Sequence, residues 1–408
     1  MLETFLRDKE EQIMDNKNML ETFLKDKGEQ IMDNKNMLET FLGKFNQEMK
    51  NMGHANLVIA GKTGVGKSTL INAAFRENVA KTGIGRPVTD ASDVRWYEKE
   101  GYPLRIYDTI GLELDEEKRD KSLSMIKKVC QDAKVSNDPD KFIHVMWYCV
   151  ASDSDRLEPY EADFINSVAE EVAVILVITK SLRKRHSERV IQAIANDYPG
   201  LNVKKEVVVL AQDENEEDVD EGEEPRKAYG VDNLVEITAQ IMPEEAQRAW
   251  CNAQKASMDL KCKKAQALVL STAAVSFGEG YVPLPFADSM ALVPTEIGML
   301  AGITAIFGIS VSKNLIKSIG TSLVGVAGAT FAGKTIVSNV LKFIPGFGTM
   351  IGGTISGTTA AVITTALGEA YIAIMKKISS GEIEESELKT QAVQDQLKNL
   401  FRENLKRK

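Results

Sequence analysis

The sequence predicts a mixed α/β domain in the middle of the chain, with helical regions before and after it. Three observations lead to this prediction. From Asn56 onward, short runs rich in β-branched residues alternate with helical stretches, which is typical of a mixed, mostly parallel sheet with helices on both faces. A glycine-rich loop follows the first run and opens a helix. The flanking regions have the hydrophobic spacing of helices.

The N-terminal region is a tandem repeat. Residues 1–18 recur at 19–36 with two differences, and MLETFL returns at 37–42. Because 18 residues make about five turns of an α-helix, each copy places its apolar residues on the same face. We therefore expect an N-terminal helical repeat arm over residues 1–52. The arm is either an oligomerising or lipid-facing segment or an extended helix that packs on its own protein.

The central domain is expected to span residues 53–245. Its readable strands are NLVIAG, RIYDT, FIHVMWYCV, VAVILVITK and KEVVVLAQ, and DVRWYE is expected to be an antiparallel edge strand. Nine acidic side chains lie between Asp213 and Glu224, a number equal to the formal net charge of -9. This segment has too little apolar content to offset the entropy of ordering, so we expect a solvated loop there.

The strongest motif is the glycine-rich loop GKTGVGKST at residues 61–69. It matches GxxxxGK[ST], follows NLVIA directly and opens the helical stretch STLINAAF. The backbone N–H groups of such a loop surround phosphates, and its lysine reaches the β- and γ-phosphate oxygens. The sequence therefore predicts nucleotide contacts from Gly61, Thr63, Gly64, Val65, Gly66, Lys67, Ser68 and Thr69. Lys67 is also the predicted catalytic cation.

Two further motifs follow in the expected order. Thr89 in GRPVTD is predicted to sense the γ-phosphate through Mg²⁺, with Thr82 as the fallback. The sequence DTIG at 108–111 closes a predicted strand and fits DxxG, in which the carboxylate holds Mg²⁺ through water and the glycine N–H touches the γ-phosphate. The predicted metal ligands are Ser68, Thr89 and Asp108, and Asp108 and Gly111 also belong to the predicted nucleotide site.

The base-reading segment departs from the usual pattern. After VAVILVI comes Thr179-Lys180-Ser181-Leu182, where guanine recognition normally has [NT]KxD. Leu182 cannot accept hydrogen bonds from guanine, whereas the Lys180 stem can cover the base. Gln212 lies where the last guanine-binding motif is usually found. We predict base-side contacts from Thr179, Lys180 and Gln212 and favour guanine, and an ATPase stays open.

Together, GKTGVGKSTLINAAF, GRPVTD, YDTIGLE and VITK resemble the Era/septin-like side of the translation-factor class of P-loop GTPases. The stretch from Asn56 through RAWCNAQKASMDLKCKKAQ and VPLPFADSMALVPTEIGML resembles bacterial GTPases with a YcjF-type C-terminal helical domain. The resemblance implies a P-loop G domain that binds GTP and GDP with Mg²⁺. It also implies a helical tail, rich in small residues, that is associated with membranes.

Hydrolysis is expected to be slow. The residue after DxxG is Leu112 where many GTPases have a glutamine that orients water, and Gly64 replaces the asparagine of potassium-activated relatives. Septin- and Toc-like relatives dimerise across the nucleotide. We therefore predict a nucleotide-dependent homodimer in which Arg156 acts on the partner's phosphates as a catalytic residue. The alternative is a surface arginine paired with Glu158 or Asp155.

Residues 246–408 are predicted to form an all-α C-terminal domain rich in small residues. Uncharged stretches run over 297–312, 318–333 and 343–368, and only the last clearly exceeds the roughly 20 residues that cross a bilayer. Small-xxx-small patterns at 348–352 and 353–357 permit close helix packing in lipid or in a soluble bundle. We expect membrane association, with a buried helical hairpin as the alternative.

The remaining features restrict location and partners. Outside the acidic segment the charges cancel, so no nucleic-acid partner is expected. The N-terminus lacks a signal-peptide pattern, which favours a cytoplasmic protein, peripheral or integral at the inner face of a membrane. Two function classes remain: a GTPase switch that couples nucleotide state to dimerisation and tail contacts, and a nucleotide-gated scaffold with little hydrolysis. Leu112 favours the scaffold, and the intact phosphate and metal residues favour the switch.

Overall fold

The computed structural model describes residues 39–76, 94–109, 116–154, 156–215, 217, 219, 224–279, 289–309, 357–384, 387 and 390–407. The chain divides into two compact units. The sheet unit comprises Glu48–Ala265 together with Ala305–Gly308. The helical unit comprises the rest of the chain, of which 39–47, 266–279, 289–304 and most of 357–407 are described. The domain limits expected from the sequence, 1–52, 53–245 and 246–408, stay a prediction.

A six-stranded sheet forms the core of the sheet unit. Its strands are β1 Ala55–Gly61, β2 Val94–Lys99, β3 Tyr102–Thr109, β4 Val145–Ala151, β5 Ala173–Thr179 and β6 Lys205–Val208. They lie in the order β2-β3-β1-β4-β5-β6, and the β2–β3 pair is antiparallel whereas the other pairs are parallel. The predicted mixed, mostly parallel sheet is confirmed, and Val94–Lys99 is its antiparallel edge strand.

The two central strands are buried along their whole length. Every residue of β1 and of β4 is buried, as expected for parallel strands that are covered on both faces. In register, Ile59 of β1 faces Asp108 of β3 and Trp147 of β4. The carboxyl ends of these strands therefore meet at one edge of the sheet, the edge where open α/β sheets bind ligands.

Helices follow most of the strands. In chain order they are α1 39–51, α2 Lys67–Ala74, α3 Glu116–Ser136, α4 Pro159–Ala169, α5 Lys184–Asp197, α6 Val231–Ile241, α7 Glu244–Ala253, α8 Met258–Glu279, α9 Ser289–Phe307, α10 Gly357–Ser379 and α11 Gln391–Arg407. Short 3₁₀ turns occupy Pro139–Lys141 and Ser152–Ser154. Helix α4 begins with a capping box. The Glu158 side chain accepts the backbone N–H of Glu161, and the Glu161 side chain accepts the backbone N–H of Glu158.

Three aromatic residues join the end of α2 to α7. Phe75 stacks on Trp147 with ring centroids 6.0 Å apart, and Trp250 meets both rings edge-on at 5.3 and 5.7 Å. The indole N–H of Trp147 donates to Thr238 Oγ1, and that of Trp250 donates to the Val235 carbonyl, each at 3.0 Å. The cluster is thus apolar in its interior and satisfied at its polar edges.

A buried lysine holds the ends of two helices in the sheet unit. Lys261 of α8 is 2% exposed, and its Nζ donates to the carbonyls of Cys251 at 2.5 Å and Phe307 at 3.0 Å. The carbonyls of Ile306 and Asn252 lie at 3.3 and 3.5 Å. These four carbonyls, at the carboxyl ends of α7 and α9, form what we call the carbonyl cage.

Arg76 also binds the carboxyl ends of α7 and α9. Its Nε donates to the Asn252 carbonyl and one Nη to Asn252 Oδ1, both at 2.7 Å, and the other Nη donates to the Gly308 carbonyl. Gly308 has a φ of +68°, and a Cβ there would meet Arg76 and the Asn252 carbonyl. The end of α2 is therefore fixed to the ends of α7 and α9.

The helical unit packs through small residues. A Cβ on Gly302 of α9 would lie 2.6 Å from Leu268 of α8, and Gly368 of α10 touches Val269. The hydroxyl of Thr364 lies 3.1 Å from Ser276 Oγ and 3.4 Å from the carboxylate of Glu296. The predicted helical C-terminal region is confirmed for the described residues.

Several sequence-based expectations fall outside the described residues. They are the repeat at 1–38, the uncharged segment 318–333, the part of the longest uncharged segment before Gly357, and the small-residue patterns at 348–352 and 353–356. Within the described ranges, no helix combines the length and the apolar character needed to cross a membrane.

Candidate nucleotide-binding site

The glycine-rich loop lies between β1 and α2, as its motif requires. Gly66 precedes α2 with a φ of +96°, in the left-handed region that favours glycine. No side chain caps α2, and no acidic residue occupies its first turn. The first N–H groups of the helix therefore face the loop without a capping side chain as acceptor. At Gly61 a Cβ would collide with the Cys149 carbonyl. The backbone therefore forms a cradle that suits an anion.

Lys67, the first residue of α2, folds back over this loop. Its Nζ donates to the carbonyls of Gly61 at 2.8 Å and Lys62 at 2.9 Å. The side chain is partly buried, whereas Thr63 and Gly64 in the loop are exposed. The ammonium group is thus held at the rim of the cradle, where it can exchange carbonyl acceptors for phosphate oxygens.

The predicted metal ligands Ser68 and Asp108 come from neighbouring elements. Asp108, near the end of β3, pairs in register with Ile59, two residues before Gly61. Burial raises the pKa of the Cys149 thiol to about 12. The positive charge of Lys67 lowers this pKa, and the negative charge of Asp108 raises it. Both charges therefore lie close to Cys149, beneath the loop. A serine hydroxyl and a carboxylate are oxygen ligands of the kind that Mg²⁺ prefers, so these residues fit that ion.

Thr179 joins the end of β5 to the loop. It is 2% exposed, and its hydroxyl lies 2.5 Å from the Val65 carbonyl and 3.2 Å from the Val150 carbonyl. The next residue, Lys180, has a φ of +51°, and its exposed side chain turns away from the buried strand. The base-reading segment is therefore attached directly to the phosphate cradle.

A cavity of about 620 Å³ lies beside this segment, and we call it the base-end cavity. Its walls come from the residues that follow β4, β5 and β6. They are Ser152, Asp153, Lys180, Leu182, Arg183, Arg185, His186, Arg189, Glu214 and Arg226. Gln212 is exposed and lies two residues before a lining residue. The cavity therefore lies at the position expected for the nucleotide base.

The sequence did not reveal an ion pair that anchors the loop to α4. Lys62 Nζ lies 3.0 Å from Glu161 Oε2, and the Glu161 side chain is 3% exposed. Glu161 also accepts the Tyr148 hydroxyl and the Glu158 N–H, each at 2.9 Å. Burial by itself lowers the pKa of Lys62, but Glu161 and Tyr160 together outweigh it and the pKa is raised. Lys62 occupies a position that the phosphate-loop motif leaves unspecified, so its partner could not be predicted.

The structure thus brings together the loop residues 61–69, Asp108, Thr179 and Lys180. Thr82, Thr89, Gly111 and Leu112 lie outside the described residues. Arg156 is 71% exposed and donates to Glu158 at 3.0 Å, the ion pair that the alternative interpretation expects. Its role toward a partner's phosphates stays a prediction.

The strand order, the glycine cradle and the lysine at its rim define a P-loop nucleotide-binding domain of the GTPase class. Residues 56–180 match the family described as 50S ribosome-binding GTPase. Residues 244–402 match DUF697, a domain of unknown function. Both matches agree with the resemblance to GTPases with a YcjF-type C-terminal domain.

Similar proteins cover parts of the chain. Magnetosome membrane protein 22 from Magnetospirillum gryphiswaldense is 31% identical over 91 residues, which are 22% of this chain and 47% of that protein. The match spans about half the length of this curated relative. Among solved structures, the septin GTPase domain from Chlamydomonas reinhardtii is 18% identical and covers 48% of this chain and 93% of its own, with a TM-score of 0.30. Cdc11 from Saccharomyces cerevisiae is 20% identical over 41% and 71%, with a TM-score of 0.27.

Proposed function

We propose that this chain is a GTPase switch that binds GTP and GDP with Mg²⁺. The observation that carries the proposal is the cradle formed by Gly66 and the first turn of α2, with Lys67 at its rim. Asp108 pairs in register with Ile59, two residues before the start of the same loop. Backbone N–H groups and one ammonium offset the charge of a triphosphate.

Each residue of the proposed site has a separate task. Lys67 binds β- and γ-phosphate oxygens, and Ser68 and Asp108 hold Mg²⁺, which offsets phosphate charge when it is bound. Thr179 fixes the loop through the Val65 carbonyl. Thr89 and Gly111 complete the site as residues that respond to the γ-phosphate.

The first experiment identifies the nucleotide. Nucleotide extracted from purified protein and separated by chromatography is expected to be GDP or GTP. Lys67→Ala should weaken GDP binding roughly 100-fold, because hydrogen bonds to charged groups contribute about 1.5–3 kcal/mol each. Lys184→Ala removes an exposed lysine outside the loop and serves as the matched control. Full affinity in the Lys67→Ala protein would end the proposal.

Hydrolysis is proposed to be slow because Leu112 cannot orient water, and a homodimer is proposed to accelerate it through Arg156. Turnover per protein molecule should then rise with protein concentration, and Arg156→Ala should abolish the rise. Removal of an arginine that acts in trans can cost ~10³-fold. Arg248→Ala is the matched control, since Arg248 is also exposed and paired, with Glu48 at 3.1 Å. Turnover that is independent of concentration contradicts the dimer and favours a scaffold with little hydrolysis.

The helical unit is proposed to contact a membrane or an effector in a nucleotide-dependent manner. Its packing through glycines and the name of the magnetosome membrane relative support this proposal. Full-length protein loaded with GDP or with a non-hydrolysable GTP analogue should differ in flotation with phosphatidylglycerol-containing vesicles. Equal recovery in the unbound fraction with both nucleotides would count against membrane contact.

A further inference from the structure

The base-end cavity is the part of the site that the phosphate motifs do not explain. It includes Lys180 and Leu182 of the base-reading segment, and its volume of about 620 Å³ is in the range of small-molecule sites. Lys180 follows Thr179, whose hydroxyl contacts the loop at Val65. A nucleotide whose phosphates occupy the cradle would therefore place its base at this cavity.

The walls of the cavity are electropositive. Three guanidinium groups come from the residue before α5 and from the first six residues of that helix, and we call them the arginines of α5. None has an ion pair within the described part of the chain: Arg183, Arg185 and Arg189. Of the two lining carboxylates, Glu214 is already neutralised, because Arg226 donates to it at 2.9 and 3.2 Å. The other carboxylate, Asp153, is exposed. The positive side chains that line the cavity therefore outnumber the negative ones.

The hydrogen-bonding capacity of these walls is therefore mostly that of donors. Guanidinium groups have five donors and no acceptor, and Leu182, which is 43% exposed, has neither. Guanine presents two kinds of edge. Its N1–H and 2-amino group need an acceptor, whereas O6 and N7 need donors, and arginine binds O6 and N7 in a bidentate manner.

We propose that the arginines of α5 select 6-oxopurine nucleotides as a class by donating to the base, and that the 2-amino group of guanine is not read. The proposal rests on the proposed nucleotide-binding function and specifies its ligand class. Hypoxanthine keeps O6 and N7 and lacks only the amino group, so it is equivalent to guanine here. Xanthine adds a second carbonyl, and adenine presents an amino donor in place of O6.

Titration of the full-length protein with four nucleoside diphosphates tests this selection without hydrolysis. GDP and IDP are expected to bind within about threefold of each other, and XDP no more weakly than GDP. ADP is expected to bind at least about tenfold more weakly than GDP, the discrimination that one bidentate contact supplies.

Two variants test the two halves of the proposal. Leu182→Asp introduces an acceptor at the position where guanine-binding segments have an aspartate, and it should raise the preference for GDP over IDP to about tenfold or more while weakening XDP. Replacement of the three α5 arginines by alanine, singly and together, should reduce the preference for GDP over ADP. Lys184→Ala is the control, because Lys184 is an exposed cation of the same helix that does not line the cavity.

Three results would overturn the proposal: a wild-type preference for GDP over IDP of tenfold or more, equal affinity for ADP and GDP, or an unchanged GDP:ADP ratio in the triple arginine variant. Tryptophan fluorescence confirms that each variant is folded. Failure of the underlying function has a different signature, since Lys67→Ala would then bind all four nucleotides as tightly as the wild type.

Discussion

Two lysines of the sheet unit bind main-chain carbonyls, and they differ mainly in exposure. Lys67 donates to the carbonyls of Gly61 and Lys62 at 2.8 and 2.9 Å and is partly exposed at the rim of the cradle. Lys261 lies within 2.5 to 3.5 Å of the four carbonyls of the carbonyl cage and is 2% exposed. The same chemical group therefore occurs in an open site and in a closed one.

The acceptors of the two lysines differ in the same way as the lysines themselves. The carbonyls around Lys67 belong to a loop with exposed residues, so phosphate oxygens can replace them. The carbonyls around Lys261 are among the last of α7 and α9, which lack partners within their own helices and carry partial negative charge. Lys261 therefore stabilises the fold, whereas Lys67 lies where the proposed function needs a cation.

The largest expected effect on stability comes from removing the lysine of the closed site. Lys261→Met should lower the free energy of unfolding of the sheet unit by about 3 kcal/mol, because several buried acceptors lose their donor. Urea denaturation followed by tryptophan fluorescence measures this, since all three tryptophans lie in that unit. Lys67→Met is the control and should cost less than about 1 kcal/mol. Equal losses in the two variants would show that the two lysines contribute equally to stability.

Arg76 is expected to have the next largest effect on the same closed site. Arg76→Ala should cost about 2 kcal/mol of unfolding free energy, because it removes charge-assisted hydrogen bonds to Asn252 and Gly308. Arg76→Lys should recover less than half of the loss, since a single ammonium cannot reproduce the planar fork of a guanidinium. A lysine variant as stable as the wild type would show that charge alone is sufficient.

The pH dependence of stability should sharpen the comparison. Burial, and then repulsion by Arg76, lower the pKa of Lys261 to about 7, while Cys251 and Cys262 oppose the shift. Between that pH and the ordinary value of 10.5, the unfolded chain binds the extra proton, so the free energy of unfolding rises with pH. The slope is at most about 1.4 kcal/mol per pH unit. The difference between wild type and Lys261→Met should widen over this interval, and parallel curves would contradict the assignment.

The smallest effect lies in the helical unit and has the opposite sign. Burial raises the pKa of Glu296 to about 7, and the hydroxyl of Thr364 opposes the shift. Between the ordinary value of 4.5 and about 7 the folded unit binds the extra proton, so its stability falls as pH rises. Hydrogen exchange of α10 peptides, corrected for intrinsic rates, should show this loss in the wild type and less of it in Glu296→Gln. Identical profiles for the two proteins would refute it.

Much of the sheet unit could be predicted from local patterns. The strand runs and the antiparallel edge strand were predictable because buried strands are short, β-rich and continuous. The loop at 61–69 was predictable because its glycine spacing imposes a particular backbone path. The Lys62–Glu161 ion pair was not, since it joins two segments whose local sequence does not indicate contact.

The base-end cavity and the burial of Lys261 could not be predicted for the same reason, since both depend on contacts between distant segments. The sequence KCKK around Lys261 has the composition of a solvated helix surface, yet one of its lysines is buried against Phe307, 46 residues away. The arginines of α5 are adjacent to the base-reading segment in sequence, but their convergence on one cavity with Arg226 depends on the pairing of Arg226 with Glu214 after β6.

By itself, the sequence determined the class of site and the kind of sheet that presents it. Short-range spacing was sufficient because a phosphate loop, a strand and a helix are built from neighbouring residues. Only the tertiary structure decided which charges are buried and which donors line the base-end cavity. The reason is that desolvation and ion pairing depend on segments that are distant in the chain and meet only when the helices pack.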